Sequence, residues 1–263
     1  MMNSFLQTDV QQLLRDIIMG LARSSSPNEK NHRGRLLLTW FERVDQLNNS
    51  YLGEVEAILF DLSGTLVNDL LAVYNGYVDL CKKYNRKPPS LIQFREDFKL
   101  PYPDFLSEKG YKEIEDAIYF WKNAYMNYGS LITIFSDVIP TLKKLKNLDS
   151  IKLGVVSQTP KEQVQQNLKK FSLQTYVDNI VFDRWKPKPN GLLQALEELE
   201  TKNPKNVIYI GDMKEDLEAA HAANIQPWAI YREKGSFHTL ENLQKGNPTK
   251  ILTVMTEIIT AIS

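Results

Sequence analysis

The sequence predicts an α/β protein, a doubly wound parallel sheet with an inserted helical cap and an N-terminal helical extension. Three observations carry this. After residue 137, short apolar runs that end in polar turns alternate with amphipathic helical patterns, as in consecutive βαβ units. One further apolar run, Val55–Phe60, stands apart from them, separated by the purely helical texture of residues 67–136. Two more helical patterns precede that run, within residues 1–50.

In chain order, Leu6, Val10, Leu13, Leu14, Ile17, Ile18 and Leu21 recur at helical spacing over residues 4–22. The polar stretch 24–31 breaks the pattern, and residues 36–47 resume it with Trp40, Phe41 and Val44 on the apolar face. This pair is expected to pack on the body of the protein; its other use is a protein partner or self-association through residues 1–50. Val55–Phe60 is nearly continuous in apolar residues, which suits a strand covered on both faces. Helices are expected over 67–84, 90–98 and 111–128, with Ser90 as an N-cap. Strands then follow at Lys152–Val156, Asn179–Phe182, Val207–Ile210 and Pro227–Tyr231, with helices at 138–147, 160–171, 189–200 and 213–223. Pro140 falls in a first helical turn, where proline is tolerated. The expected organisation is an extension at 1–50, a core built from 51–66 and 137–263, and a cap at 67–136.

Composition narrows the function. A chain of 263 residues with 43% hydrophobic content buries a full core. Its 32 basic and 32 acidic residues balance, which argues against a general nucleic-acid binder. Cys81 is the single cysteine, so no internal disulfide forms, and three histidines without Cys/His spacing give no zinc pattern. No apolar stretch approaches the ~20 residues that span a bilayer. The opening residues lack a basic segment followed by an apolar one, and the expected location is the cytoplasm.

Four segments place polar groups at the ends of expected strands, where a parallel sheet gathers them at its carboxyl edge. Ile58–Val67 delivers Asp61 into a Ser63-Gly64-Thr65 turn; such a carboxylate can act as nucleophile or magnesium ligand. Ser157, with Gln158 beside it, ends the next strand and can donate to a phosphate oxygen. Lys186 sits in a loop held extended by Pro187 and Pro189, with Lys188 as its competitor. Asp212 leaves the strand 207–210, and Asp216 follows one helical turn later on the same side.

In this order, Asp-x-x-Gly-Thr, Ser, Lys-Pro-x-Pro and Gly-Asp-x-x-x-Asp resemble the motif series of the haloacid dehalogenase superfamily, over about residues 53–262. The helical insert is similar to the cap of the subgroup containing phosphoglycolate phosphatases. The resemblance implies a Rossmannoid core and a magnesium-dependent hydrolase of small phosphomonoester metabolites. In it, Asp61 would form an aspartyl-phosphate. Mg²⁺ would be held by Asp61, the Ser63 carbonyl, Asp212 and Asp216, and Ser157 and Lys186 would bind the phosphoryl group. Thr65 would fix the loop. The family's second aspartate is Ser63 here, which removes a general acid–base worth ~10²–10⁴ in rate. Three readings therefore stay open: a phosphatase that tolerates the change, a long-lived aspartyl-phosphate, and a weakened member that acts by binding or regulation. If Ser63 alone is limiting, Ser63→Asp should raise turnover. The cap would select the substrate, with Arg95 and Lys99 as candidates to receive a carboxylate or second phosphate.

Overall fold

The computed structural model describes residues 55–148, 150–182 and 184–262. The helical pair expected within residues 1–50 lies outside them. Strands β1 (Ala57–Phe60), β4 (Lys152–Val156), β5 (Asn179–Val181), β6 (Val207–Gly211), β7 (Gln226–Ile230) and β8 (Lys250–Leu252) form one sheet in the order β5-β4-β1-β6-β7-β8. Every pairing in it is parallel.

Every residue of β1 and β6 is buried, because both faces of the sheet are covered and neither face leaves a place for polar alternation. Ile58, Phe60, Val155 and Ile210 meet Leu142 of α5 (Val138–Lys146), Leu168 of α6 (Lys161–Lys170) and Ile258 of α10 (Glu257–Ile262). Ala57, Leu59, Val156 and Tyr209 face the other way. They meet Leu192 and Leu196 of α7 (Asn190–Glu198) and Ala219 and Ala220 of α8 (Lys214–Ala222). Each fully buried aliphatic or aromatic side chain contributes about 1.5–3 kcal/mol, so the central strands anchor the positions of the loops at their carboxyl ends.

Between β1 and β4 the chain leaves the sheet through a two-residue antiparallel ribbon, β2 (Val67–Asn68) with β3 (Thr133–Ile134). Four helices lie between these strands: α1 (Leu70–Lys83), α2 (Leu91–Asp97), α3 (Tyr102–Glu108) and α4 (Ile114–Met126). Gly76 lets α1 and α4 approach, since a Cβ there would stand 3.0 Å from the Trp121 ring. Tyr77, Phe94, Phe98, Phe105 and Trp121 pack around one another in tilted, stacked and edge-to-face pairs. Ser90 caps α2 in a capping box, its Oγ accepting from Gln93 N–H at 3.2 Å while Gln93 Oε1 accepts from Ser90 N–H at 3.0 Å.

The insert is tied to the loop after β7. Arg95 donates to the Glu233 carbonyl at 2.9 Å and the His238 carbonyl at 3.2 Å, and Asn242 Nδ2 donates to the Glu96 carbonyl at 3.2 Å. His238 Nδ1 accepts from Lys214 N–H at 3.0 Å, which leaves Nε2–H to donate to the Phe98 carbonyl at 2.7 Å. Burial lowers the pKa of His238, in keeping with this neutral tautomer.

Several elements depart from the sequence expectations. α3 follows Pro101 at its N-cap and carries Pro103 in its first turn, positions where proline is compatible with a helix although it reads as a breaker in sequence. β2, β3, β8, α9 (Leu240–Lys245) and α10 were not expected; the strands among them have two or three residues, too few for a periodic signal.

Candidate active site

The carboxyl ends of β1, β4 and β6 and the loop before α7 converge on a cavity lined by Asp61, Ser63, Ser157, Gln158 and Lys186 and by Phe98, Leu100, Tyr102 and Phe237. Asp61 is placed by β1 pairing, which continues as Asp61 N–H donating to the Ile210 carbonyl at 2.8 Å. The chain then turns at Gly64, whose φ of +75° favours glycine. A Cβ there would lie 2.1 Å from Asp212 Oδ2, so this glycine is also what lets the first loop approach the Asp212 carboxylate.

Asp61, Asp212 and Asp216 are all buried, and each offers a carboxylate oxygen within 4.8 Å of the others. Lys186 bridges Asp61 and Asp216 with its ammonium, and its side chain is only 5% exposed. The structure places Lys186 in this cluster, whereas Lys188 lines a separate surface depression with Trp185 and Asn190. Tyr209 forms the floor: its hydroxyl donates to the Val156 carbonyl at 3.0 Å and lies 3.2 Å from Asp216 Oδ1, and Lys186 Nζ stands 5.4 Å from its ring centre. Asp216 Oδ2 accepts from Met213 N–H at 3.0 Å. Asp212 accepts from Phe237 N–H at 2.5 Å and more distantly from Thr65 Oγ1 at 3.5 Å. Ser157 is buried at the tip of β4, and its Oγ accepts from Thr159 N–H at 3.2 Å.

Charge in this cluster is under strain. Burial pushes Asp61 up to about 7, against the lowering effect of Lys186. Burial, followed by the charges of Asp216 and Asp61, holds Asp212 well above the usual carboxylate range. Burial disfavours the Lys186 cation, yet Asp216 and Asp61 outweigh it and hold its pKa above the ordinary lysine value. When ionised, three carboxylates against one ammonium would leave buried negative charge, and a hard divalent cation with oxygen ligands fits such a set.

Ser63 does not stand alone. Its Oγ donates to Asp69 Oδ2 at 2.8 Å, and Tyr125 donates to the same oxygen at 3.4 Å, with Asn167 Nδ2 donating to Tyr125 at 3.4 Å. Burial pushes Asp69 up to about 6, opposed by the Ser63 and Tyr125 hydroxyls and by the nearby amides of Asp69 and Gly64. Asp69, Tyr125 and Tyr209 are not marked as site residues by the sequence. Tyr209 carried a faint signal, a hydroxyl inside an otherwise apolar strand; Asp69 and Tyr125 carried none, since 56 positions separate them. Two of the expected substrate contacts lie elsewhere. Arg95 spends its guanidinium on the Glu233 and His238 carbonyls, and Lys99 pairs with Glu108; neither lines the cavity around Asp61.

A sequence profile of haloacid dehalogenase-like hydrolases matches residues 58–230. Among curated relatives, pyrophosphatase PpaX of Bacillus mycoides is 24% identical over 221 residues, covering 80% of this chain and 98% of its own. Among solved structures, a haloacid dehalogenase-like family hydrolase from Streptococcus pneumoniae superposes with a TM-score of 0.70 at 23% identity, covering 80% of this chain and 99% of its own. A protein described as a predicted phosphoglycolate phosphatase from Haemophilus somnus superposes at 0.63 with 20% identity, covering 80% and 99%. These two likenesses are of fold. Among the described residues, no helix is long and apolar enough to cross a membrane.

Proposed function

The chain belongs to the haloacid dehalogenase-like hydrolase family, and we propose that it is a magnesium-dependent phosphatase of a small phosphomonoester metabolite that works through an aspartyl-phosphate on Asp61. The observation that carries this reading is the buried Lys186 bridge between Asp61 and Asp216, with Asp212 in the same acidic cluster and Ser157 lining the cavity with Asp61 and Lys186. Relatives named as a pyrophosphatase and a phosphoglycolate phosphatase support phosphoryl chemistry. In this reading residues 67–136 act as the cap and the protein works in the cytoplasm.

Magnesium would be held by Asp61, Asp212, Asp216 and the Ser63 carbonyl, and bound there it would neutralise charge on the phosphoryl oxygens. Ser157 Oγ and Lys186 Nζ contribute donors to the same oxygens. A carboxylate oxygen of Asp61 attacks phosphorus, the ester P–O bond breaks, and the alcohol leaves with a proton from solvent. Water then attacks the phosphorus of the acyl phosphate, releasing inorganic phosphate and restoring Asp61. Lys186 holds the carboxylate in place for the attack and offsets the negative charge that gathers as phosphate enters.

A second reading, a weakened member that binds or regulates, is favoured by one observation: the hydroxyl of Ser63 is committed to Asp69. Phosphate release from p-nitrophenyl phosphate with magnesium separates the two. Turnover that Asp61→Asn abolishes supports the enzyme. A folded protein silent across a broad phosphoester panel supports the binding module.

A further inference from the structure

Asp69 occupies the N-cap of α1, where an aspartate ordinarily accepts a hydrogen bond from the first helical turn, yet its side chain makes no capping bond. The carboxylate turns instead toward the catalytic loop and is only 2% exposed. Both donors that reach it, Ser63 and Tyr125, converge on Oδ2. Oδ1 is buried and has no hydrogen-bond partner among the described residues, and the nearby Gly64 N–H is given to the Val67 carbonyl at 2.7 Å. A buried acceptor left unmatched is costly, and it persists where a ligand completes it.

The place where Asp69 sits says what that ligand is. A second cavity adjoins the one around Asp61 and shares Ser63, Val73, Tyr102 and Thr159 with it. Asp69 lines only the second. In the phosphatase reading, a leaving group that extends from the Asp61 cavity into the second one passes Ser63 toward Asp69. Around Asp69 the walls are Val73, Ile118, Trp121 and Tyr125, and Lys122 is the cation that lines this space. One acid and one base leave the chamber neutral as a whole, with the acid at its inner end beside the reacting centre.

Resting on the phosphatase reading, we propose that Asp69 Oδ1 is the substrate-selecting acceptor of this site. It takes a hydrogen bond from a hydroxyl or amino group carried by the leaving group close to the ester oxygen. Preferred substrates are then phosphomonoesters of polyols, sugars or amino alcohols. Inorganic pyrophosphate and phosphorylated carboxylic acids are disfavoured, because their second anionic group would face the Asp69 carboxylate across a low-dielectric chamber.

The test uses the full-length chain with magnesium and a matched pair of esters, glycerol 1-phosphate and propyl phosphate, which differ in the hydroxyls of the leaving group. A hydrogen bond to a charged acceptor corresponds to roughly a tenfold to hundredfold preference in kcat/KM for the hydroxylated ester. Asp69→Ala should collapse that ratio to within about threefold, and Asp69→Asn, which keeps the shape of the side chain, should reduce it partway. The ratio between substrates is insensitive to the fraction of enzyme that folds, so a destabilised variant still reports. Equal loss on both esters in Asp69→Ala would overturn the proposal and give Asp69 a purely structural role. So would faster turnover of pyrophosphate or phosphoglycolate than of glycerol 1-phosphate. Turnover of p-nitrophenyl phosphate without any hydroxyl preference removes this inference alone. Silence of the unmodified protein on every ester removes the phosphatase reading and this inference with it.

Discussion

Lys186→Met tests the electrostatic reading of the site independently of any substrate. Lys186 bridges two carboxylates whose side chains are 9% and 1% exposed, and Asp212 lies in the same cluster. Methionine fills comparable volume but leaves three buried acids without their ammonium. Removing one partner of a buried ion pair typically costs about 3–5 kcal/mol. For a domain of this size each kcal/mol moves Tm by about 2–4 °C, so a drop of roughly 6–20 °C is expected in EDTA. The loss should depend on pH. Burial already holds the Asp61 carboxyl at about 7 with Lys186 lowering it, so loss of the lysine pushes it higher still, and a proton replaces the missing charge more fully at pH 5 than at pH 8. Magnesium should narrow the gap as well: at a hundred times Kd a bound ligand adds about 2.7 kcal/mol, and the variant offers it a more negative site. The assay is thermal denaturation followed by circular dichroism for both proteins, at pH 5 and 8, with EDTA or magnesium. A drop under about 2 °C at pH 8 in EDTA, or one identical in all four conditions, would show that Lys186 does not neutralise these carboxylates.

Three further perturbations follow from the same geometry. Ser63→Asp alone should fail to raise turnover of an alkyl phosphate, because the new carboxylate would meet Asp69, whose Oδ2 lies 2.8 Å from Ser63 Oγ. Adding Asp69→Ser to it should raise kcat by about tenfold or more, and equal rates for the single and double variants would show that the repulsion is absent. Glu215 is buried, and burial pushes its pKa from 4.5 up to about 7. The unfolded chain loses this proton near 4.5 while the folded one keeps it, so the carboxyl erodes stability as pH rises from 4.5 to 7. Glu215→Gln should then gain about 2–3 kcal/mol at pH 8 and little at pH 4.5, measured by urea denaturation; an equal gain at both values would contradict the assignment. Gly64→Ala places a Cβ 2.1 Å from Asp212 Oδ2 at a φ of +75°. It should lower kcat at least about a hundredfold in a protein that still folds by circular dichroism, and near-normal activity would show that the loop and Asp212 are not held so close.

The sheet was legible because burial on both faces leaves an unbroken apolar run, as in Ile58-Leu59-Phe60 and Val207–Gly211, and because each run ends abruptly at a polar residue. The same ends mark Asp61, Ser157, Asp212 and the Lys186 loop, since a parallel sheet brings all its carboxyl termini to one edge. What the sequence concealed depends on the insert. Asp69 reads as an ordinary helix cap, and only the folded chain shows its carboxylate bonded to Ser63. That contact also changes the sequence expectation for Ser63→Asp, which treated residue 63 as an isolated defect. Arg95 and Lys99 are the reverse case. Their position in the chain suggested substrate contacts, but Arg95 fastens α2 to the loop after β7 and Lys99 joins a surface pair with Glu108. Charge type and chain position name candidates; the direction of a side chain is decided by contacts more than a hundred residues away.

Phosphate release from p-nitrophenyl phosphate and a panel of small phosphomonoesters, with magnesium and beside Asp61→Asn, tests the central claim most directly. Turnover should require magnesium and vanish in Asp61→Asn while the fold persists. Turnover that survives Asp61→Asn, or none on any ester from a folded protein that binds magnesium, would contradict it.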